Sequence, residues 1–313
     1  MRQSTTVRPI FARHETFHPR FGWLKKGFDK VTEDNSVFSK ETAPVVLGVG
    51  KNMVRAIKYW CIAFKVVDET RNGKFIHTPT EFAEKLLGEG GWDPFLENPS
   101  SLWLLHWNLL KTPCHAPAWY FTFNELNKID FSSHDLFFSL REFRDRKFPT
   151  KKIHDSSLNK DVSCLIRMYV EQTGPKNLKE DSLDCPFTEL GIINAYTDSK
   201  RFTFNFGSKP SLPPEIIVTA CLEFASTFQD DARTISISRL LYDAGSPGQA
   251  FKLTESSLSD AIETISLKAK DIFLTDTAGM IQFAYNNDPL EISERILNSY
   301  YKKLVTSQKI RAN

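Results

Sequence analysis

Most of what a metal knuckle, a redox enzyme or a membrane anchor needs is missing from this chain. Its five cysteines, Cys61, Cys114, Cys164, Cys185 and Cys221, stand singly with no CxxC pair. Zinc ribbons and dithiol redox chemistry are thereby excluded, and reduced thiols are expected. No apolar run reaches bilayer length, and the opening MRQSTTVRPIFARHETF has no signal-peptide core. The expectation is a cytoplasmic protein that does not engage a membrane. The G-x-x-x-x-G-K-[ST] phosphate loop is absent too, since Gly48-Val49-Gly50-Lys51-Asn52 has neither its spacing nor its hydroxyl residue. There is no G-x-S-x-G elbow, no H-x-E with P-C-x-x-C, and no D…E-x-K or His-Asn-His nuclease spacing. ATP hydrolysis and the familiar hydrolases are not supported, and any phosphodiester chemistry needs a different arrangement.

What is present is enough apolar material for packed cores, with 41% hydrophobic and 12% aromatic residues over 313 positions. The net charge of +2 hides a patterned distribution. Residues 1 to 60 hold 11 Lys and Arg against 5 Asp and Glu, and residues 141 to 160 hold 7 against 3. Between them, residues 61 to 140 reverse the balance to 6 against 10. Clustering of this kind creates a local field able to hold a phosphate backbone, which evenly mixed solubilising charge does not.

The strongest stretch is Leu47 to Phe64, LGVGKNMVRAIKYWCIAF. At 3.6 residues per turn, Val54, Ile57, Cys61 and Phe64 form an apolar stripe, while Lys51, Arg55 and Lys58 form a basic one with Asn52 beside the helix start. The glycines of Gly48-Val49-Gly50 bend the chain so that Val37 to Val46 crosses the new helix, a helix-turn-helix layout. Asp68 to Lys74 reads as a polar turn, Phe75 to Thr78 as a strand and Thr80 to Leu87 as a return helix. Together these elements describe a winged helix, so DNA contact by Lys51, Asn52, Arg55 and Lys58 stands beside the plainer reading of a solvated helix face.

Phe11 to Gly27 concentrates chemistry, with two histidines, a glutamate, two arginines, two lysines and four aromatics in seventeen residues. His14 beside Glu15 suits an acid–base or metal-holding pair, and Arg20, Lys25 and Lys26 suit a phosphate. The alternative makes Phe17, Phe21, Trp23 and Leu24 core, Glu15 an ion-pair partner and His14 a hydrogen-bonded structural histidine.

Further on, Trp103, His106, Trp107, Trp119 and Tyr120 lie in segments apolar nearly all round, the mark of buried helices. Ser132 or Ser133 caps a helix over Leu136 to Phe143. A basic loop, Arg141 to Lys152, follows; Arg144, Arg146, Lys147, Lys151 and Lys152 form a second phosphate-contact zone or a solvated loop. A helix from Leu158 to Glu171 buries Val162, Leu165, Ile166 and Tyr169, and Thr173 to Cys185 reads as a linker. Beyond it come a strand over Phe202 to Phe206, helices over Glu215 to Ser226 and Ile235 to Tyr242, and a weak echo of the opening theme in Phe251 to Tyr285. There Asp260 and Glu263 replace Arg55 and Lys58, the wrong sign for DNA, so this module is expected to bind protein or to stay inert. The expected fold is mainly α with short β wings (α+β). A winged-helix-like DNA-binding domain spans 1–90, an aromatic-rich helical domain 91–175 and a C-terminal winged-helix-like domain 176–313.

FARHETFHPRFGWLKKG, VVLGVGKNMVRAIKYWCIAF, TPTEFAEKLLGEGGWDPFLENPSSLWLLHWNLL and AWYFTFNE resemble blocks of a bacterial domain-of-unknown-function family. That family includes the DNA-nicking component of the Ssp DNA phosphorothioation system, and the likeness reaches from near the N-terminus to nearly residue 300. It is carried by His14, Glu15, Arg20, Trp23, Lys25, Lys26, Lys51, Asn52 and Arg55. The resemblance implies antiphage defence, DNA as ligand, and a cysteine desulfurase, an ATPase and an ATP pyrophosphatase-like sulfurtransferase as partners. It also implies a nick that exposes the backbone for sulfur, for which the acid–base pair His14 and Glu15 supplies the catalytic candidates. A divalent metal, Mg or Mn, is the expected cofactor if cleavage uses one, with Glu15 as its ligand; the rest of a metal site is unknown. Self-association stays open. The alternatives are a non-catalytic winged-helix adaptor and a regulator of its own operon.

Overall fold

Helices that are apolar on every face can persist only where protein surrounds them, and the aromatic-rich segment supplies two. In the computed structural model, which describes residues 6–171, 185–197, 200–228, 233–277 and 279–312, α5 (Pro99–Leu110) is buried at every position from Ser100 to Leu110. The next helix, α6 (Pro117–Asn124), is buried along its whole length. Trp60, Trp103, Trp107 and Trp119 are at most 1% exposed, and Trp60 meets Trp119 edge to face at 5.3 Å. The aromatic cluster is therefore core, as its all-round pattern requires.

The fold is mixed α+β, and the chain divides into two units, Thr6–Asn205 and one built on Phe206–Asn313. In the first, α1 (Trp23–Glu33) buries Trp23, Leu24, Gly27, Phe28 and Val31 on one face, while Phe21 is exposed. The short α2 (Ala43–Leu47) ends at Gly48, whose φ of 62° opens the turn into α3 (Lys51–Ala63). That left-handed bend favours glycine. Where α1 crosses α3, a methyl group on Gly27 would overlap Cys61 Sγ. Gly27→Ala is expected to destabilise by about 1–3 kcal/mol in denaturant melts, because a packed core cannot absorb the added carbon.

After α3, β1 (Val67–Asn72) and β2 (Lys74–Pro79) pair antiparallel from Val67↔Pro79 to Asn72↔Lys74. The expected polar turn over Asp68 to Lys74 is thus mostly strand. Only Gly73, at φ 72°, forms the tip, because cross-strand pairing overrides the poor strand propensity of Asp, Glu and Asn. Thr80 then caps α4 (Glu81–Leu87), accepting from the Ala83 N–H.

Ser132, last residue of β3 (Asp130–Ser132), caps α7 (Ser133–Lys147) through a reciprocal box with Asp135. Helix α7 runs on through residues 141–147 of the stretch expected as a basic loop, and residues 148–152 remain outside helix. Arg144 and Lys147 lie in its last turn, where cations complement the helix dipole. The following helix, α8 (Asp155–Tyr169), buries Val162, Leu165, Ile166 and Tyr169. The expected linker Thr173 to Cys185 lies outside the described residues apart from Cys185. Strands β4 (Ile193–Ala195) and β5 (Arg201–Phe204) complete a sheet ordered β3-β5-β4.

The second unit contains α9 (Pro214–Ala225), β6 (Thr234–Ser236), α10 (Ile237–Tyr242), α11 (Pro247–Phe251), α12 (Glu255–Ser266), β7 (Ile272–Thr277), β8 (Met280–Tyr285) and α13 (Pro289–Ala312). The helix expected from Ile235 begins two residues later, because Thr234 to Ser236 pair with Gln282 to Ala284 and Ser236 turns to cap α10. The sheet order is β6-β8-β7. Helix α12 buries Leu258, Ala261 and Ile262 while Asp260 and Glu263 stay exposed. All five cysteines are buried free thiols, and burial pushes Cys61 up to about 12. Among the described residues no helix is long and apolar enough to cross a membrane.

Candidate nucleic-acid interface

Helix α3 is two-faced in three dimensions as in sequence. Val54, Ile57, Cys61 and Phe64 are buried; Lys51, Asn52 and Arg55 are exposed and Lys58 is half-buried. Arg55 Nη1 donates to Asn52 Oδ1 at 3.5 Å and stands 3.7 Å from Glu15 Oε1. Lys58 is differently placed. Its ammonium is ion-paired to Glu69 on β1, and Glu69 in turn meets His77 Nε2 on β2 at 3.0 Å. Burial works to raise the Glu69 carboxyl, but Lys58 and His77 outweigh it and hold the group below its usual value. Burial, aided by Lys58, also depresses His77. Lys58 and Arg71 both lie over the Phe75 ring, at 5.0 and 5.4 Å.

The loop before α1 has an unusual backbone. Ala12, Glu15 and Thr16 all have positive φ, at 55°, 50° and 71°, a conformation that costs a non-glycine residue and persists only where its surroundings impose it. The imposing contacts come from α8. Asp161 Oδ1 accepts from the Ala12 N–H at 2.8 Å and meets His14 Nε2 at 2.7 Å. His14 Nδ1 accepts from the Thr16 N–H at 3.1 Å, so Nε2 carries the proton given to Asp161. Arg167 Nη2 donates to Thr16 O at 2.6 Å. His14 is 0% exposed and stacks on Trp60. Burial pushes the Asp161 carboxyl up, against the pull of His14. The histidine therefore faces the core, and its neighbour Glu15 faces a cavity.

That cavity, about 1080 Å³, is lined by Glu15, Arg55 and Lys58 together with Arg8, Arg13 and His115. None of the last three figured among the predicted site residues. His115 in particular sits in a proline-flanked segment with no helical or strand period to mark it. Burial, with Arg8 and Lys65 nearby, lowers its imidazole to about 4 from an ordinary 6.5. Between those values the unfolded chain holds a proton that the folded one does not, so folding stability falls as pH drops from about 6.5 towards 4. His115→Gln is expected to flatten that part of the acid limb, read from urea midpoints at a series of pH values.

The remaining predicted residues lie elsewhere. Arg20 rests over the Trp23 ring at 5.5 Å. Lys26 Nζ donates to Leu47 O at 3.1 Å, tying α1 to α2. Lys25 pairs with Asp29 at 2.5 Å, and both lysines line a second cavity of about 510 Å³. In the second basic zone Arg144 bridges Asp145 and Asp155 and Arg146 reaches Glu125, whereas Lys147, Lys151 and Lys152 are exposed. Among the described residues no group of three or more His, Cys, Asp or Glu side chains is placed to hold a metal ion.

Two solved structures resemble this one closely. The chain is 37% identical to the magnesium ion-bound SspB crystal structure over 95% of this chain and 89% of that one, with a TM-score of 0.88. It is 37% identical to an SspB crystal structure over 96% and 91%, with a TM-score of 0.89. No curated protein matches. Residues 11–301 match the model of the family described as protein of unknown function (DUF4007), and the chain belongs to that family.

Proposed function

We propose that this protein is a DNA-binding component of a DNA phosphorothioation, antiphage defence system, and that it nicks DNA to open the backbone for sulfur. The observation that carries the reading is the exposed stripe of Lys51, Asn52 and Arg55 on α3, which leads directly to the Glu15 cavity. Cations on one helix face, with a cleft beside them, are the footprint of phosphate-backbone recognition. The order α1, α2, α3 and then the β1–β2 hairpin supports a winged-helix assignment for the 1–90 segment, with α3 as recognition helix and Phe75 and Arg71 on the wing. The 91–175 segment then serves as its supporting core. Kinship with SspB supports the pathway and, with it, a cysteine desulfurase, an ATPase and an ATP pyrophosphatase-like sulfurtransferase as partners.

In this reading Glu15 is the group that meets the scissile backbone. His14 acts through it as a positioning residue, holding the left-handed loop against Asp161. Among the described residues no group of three or more His, Cys, Asp or Glu side chains gathers around Glu15 to hold a metal ion. Magnesium in the SspB relative makes Mg²⁺ and Mn²⁺ the cations to supply. Lys147, Lys151 and Lys152 offer a second phosphate contact. Helix α12, which exposes Glu255, Asp260 and Glu263, suits a protein surface better than DNA.

Incubation with supercoiled plasmid and Mg²⁺ or Mn²⁺ tests the reading. Open-circle product is expected from the native chain and its loss from Glu15→Gln. Salt-sensitive DNA binding with no open circle under either cation would overturn the nickase and leave a non-catalytic adaptor.

A further inference from the structure

A duplex backbone is recognised by exposed, cation-bearing surface; it does not require a deep cavity with an apolar wall. The cavity beside α3 nevertheless has both charged and apolar lining. Arg8, Arg13 and Arg55 supply positive charge beside the carboxylates of Glu15, Asp68, Glu69 and Glu81, and Ile10, Ile62 and Phe82 supply apolar surface. Its volume, about 1080 Å³, is at the upper end of what small-molecule sites use and exceeds what a single phosphate fills. One polar atom of a lining residue is unsatisfied. The ring Nδ1 of His115, a lining residue, is buried with no hydrogen-bond partner among the described protein groups, a position that a water or a ligand group completes.

Arginines on the lining, apolar surface and one unsatisfied nitrogen suit a ligand with an anionic end, a flat aromatic body and polar edge atoms. We infer that the cavity receives a single nucleotide turned out of the DNA duplex, its phosphates held by Arg55 and Arg13, its base against Ile62 and Phe82, and its edge hydrogen-bonded to His115. The inference rests on the DNA-binding reading above. Arg55 makes the extrusion geometrically economical, because it belongs both to the exposed stripe of α3 and to the cavity lining. A base leaving a duplex seated on that stripe would meet apolar surface in the cavity that Arg55 also lines. His115 is pushed down to about 4, so at neutral pH it offers one donor and one acceptor with no charge, the form suited to a base edge. Extrusion carries an unstacking cost that is lowest for a mispaired base, and that dependence makes it measurable.

The test titrates the full chain with a short duplex carrying 2-aminopurine, either correctly paired with thymine or mispaired, and follows anisotropy and 2-aminopurine fluorescence together. The mispaired duplex is expected to bind about 10-fold more tightly, with a fluorescence rise that the paired duplex shows weakly or not at all. Ile62→Trp fills the cavity and His115→Phe removes the edge contact; each is expected to erase both the preference and the rise. Thermal melts of both variants report whether the fold is intact. Equal affinity for the two duplexes with unchanged fluorescence overturns the extrusion inference and leaves DNA binding standing. A folded Ile62→Trp that keeps the preference overturns it as well. Failure to bind either duplex at low salt removes the DNA-binding reading and this inference together.

Discussion

Charge reversal at two positions on α3, Lys51→Glu with Arg55→Glu, is expected to weaken DNA binding by about 100-fold or more at low salt and to flatten the salt dependence by roughly two phosphate contacts. The choice of pair follows from the structure. Sequence periodicity places Arg55 and Lys58 on the same stripe, and their charge reversal is the natural first experiment. Lys58, however, is half-buried and ion-paired to Glu69. A glutamate there would face another carboxylate, disturb the β1–β2 hairpin and confuse lost binding with lost structure. Lys51 and Arg55 are exposed, and Arg55 has a 3.5 Å contact with Asn52 and a long 3.7 Å approach to Glu15. Reversing these two removes a positive field at little cost to folding, since exposed pairs contribute about 0–1 kcal/mol. The measurement is fluorescence anisotropy across a salt series, beside a thermal melt. Unchanged affinity in a folded double variant would move the interface off α3, leaving Lys147, Lys151 and Lys152 as the next cations to reverse.

Removing the buried histidine is the larger structural change. His14→Ala is expected to destabilise the chain by about 3–5 kcal/mol, because it strands the Asp161 carboxyl in the core with one fewer hydrogen bond and leaves space beside Trp60 and Trp119. In a unit of this size such a loss lowers the melting temperature by roughly 10 °C. Asp161→Asn keeps an acceptor for the His14 Nε2–H and is expected to cost only about 1 kcal/mol. The double variant His14→Ala with Asp161→Ala is expected to be less damaging than the sum of its parts, since the stranded carboxyl has gone with its partner. A His14→Ala melt within 1 °C of native would refute the clamp. A plasmid assay on the folded Asp161→Asn chain then separates the roles: a positioning histidine leaves cleavage present but slower, through a looser Glu15 loop.

Much of the framework is legible from local pattern. The two faces of α3, the all-round burial of α5 and α6, the Ser132 cap and the hairpin strand at Phe75 each depend on residues a few positions apart. In those cases backbone geometry itself dictates which side chains are neighbours. In two of the misjudged elements strand pairing overrode local preference. Asp68 to Asn72 became a strand because β2 was there to pair with it. Thr234 to Ser236 left the following helix because β8 was there to receive them.

The site divides in the same way. Residue types and period alone placed Lys51, Asn52 and Arg55 on a free face, since helical spacing decides exposure once the apolar stripe is known. Spacing could not decide between two fates for adjacent residues in an irregular loop. It took the packing of α8, 147 positions away from His14, to turn the histidine into the core and Glu15 outward. Nor could it find His115, which joins the cavity only because separate segments converge there. Sequence determines what each local element must bury; which side chains from remote elements then share one space follows from chain closure, to which local periodicity is blind.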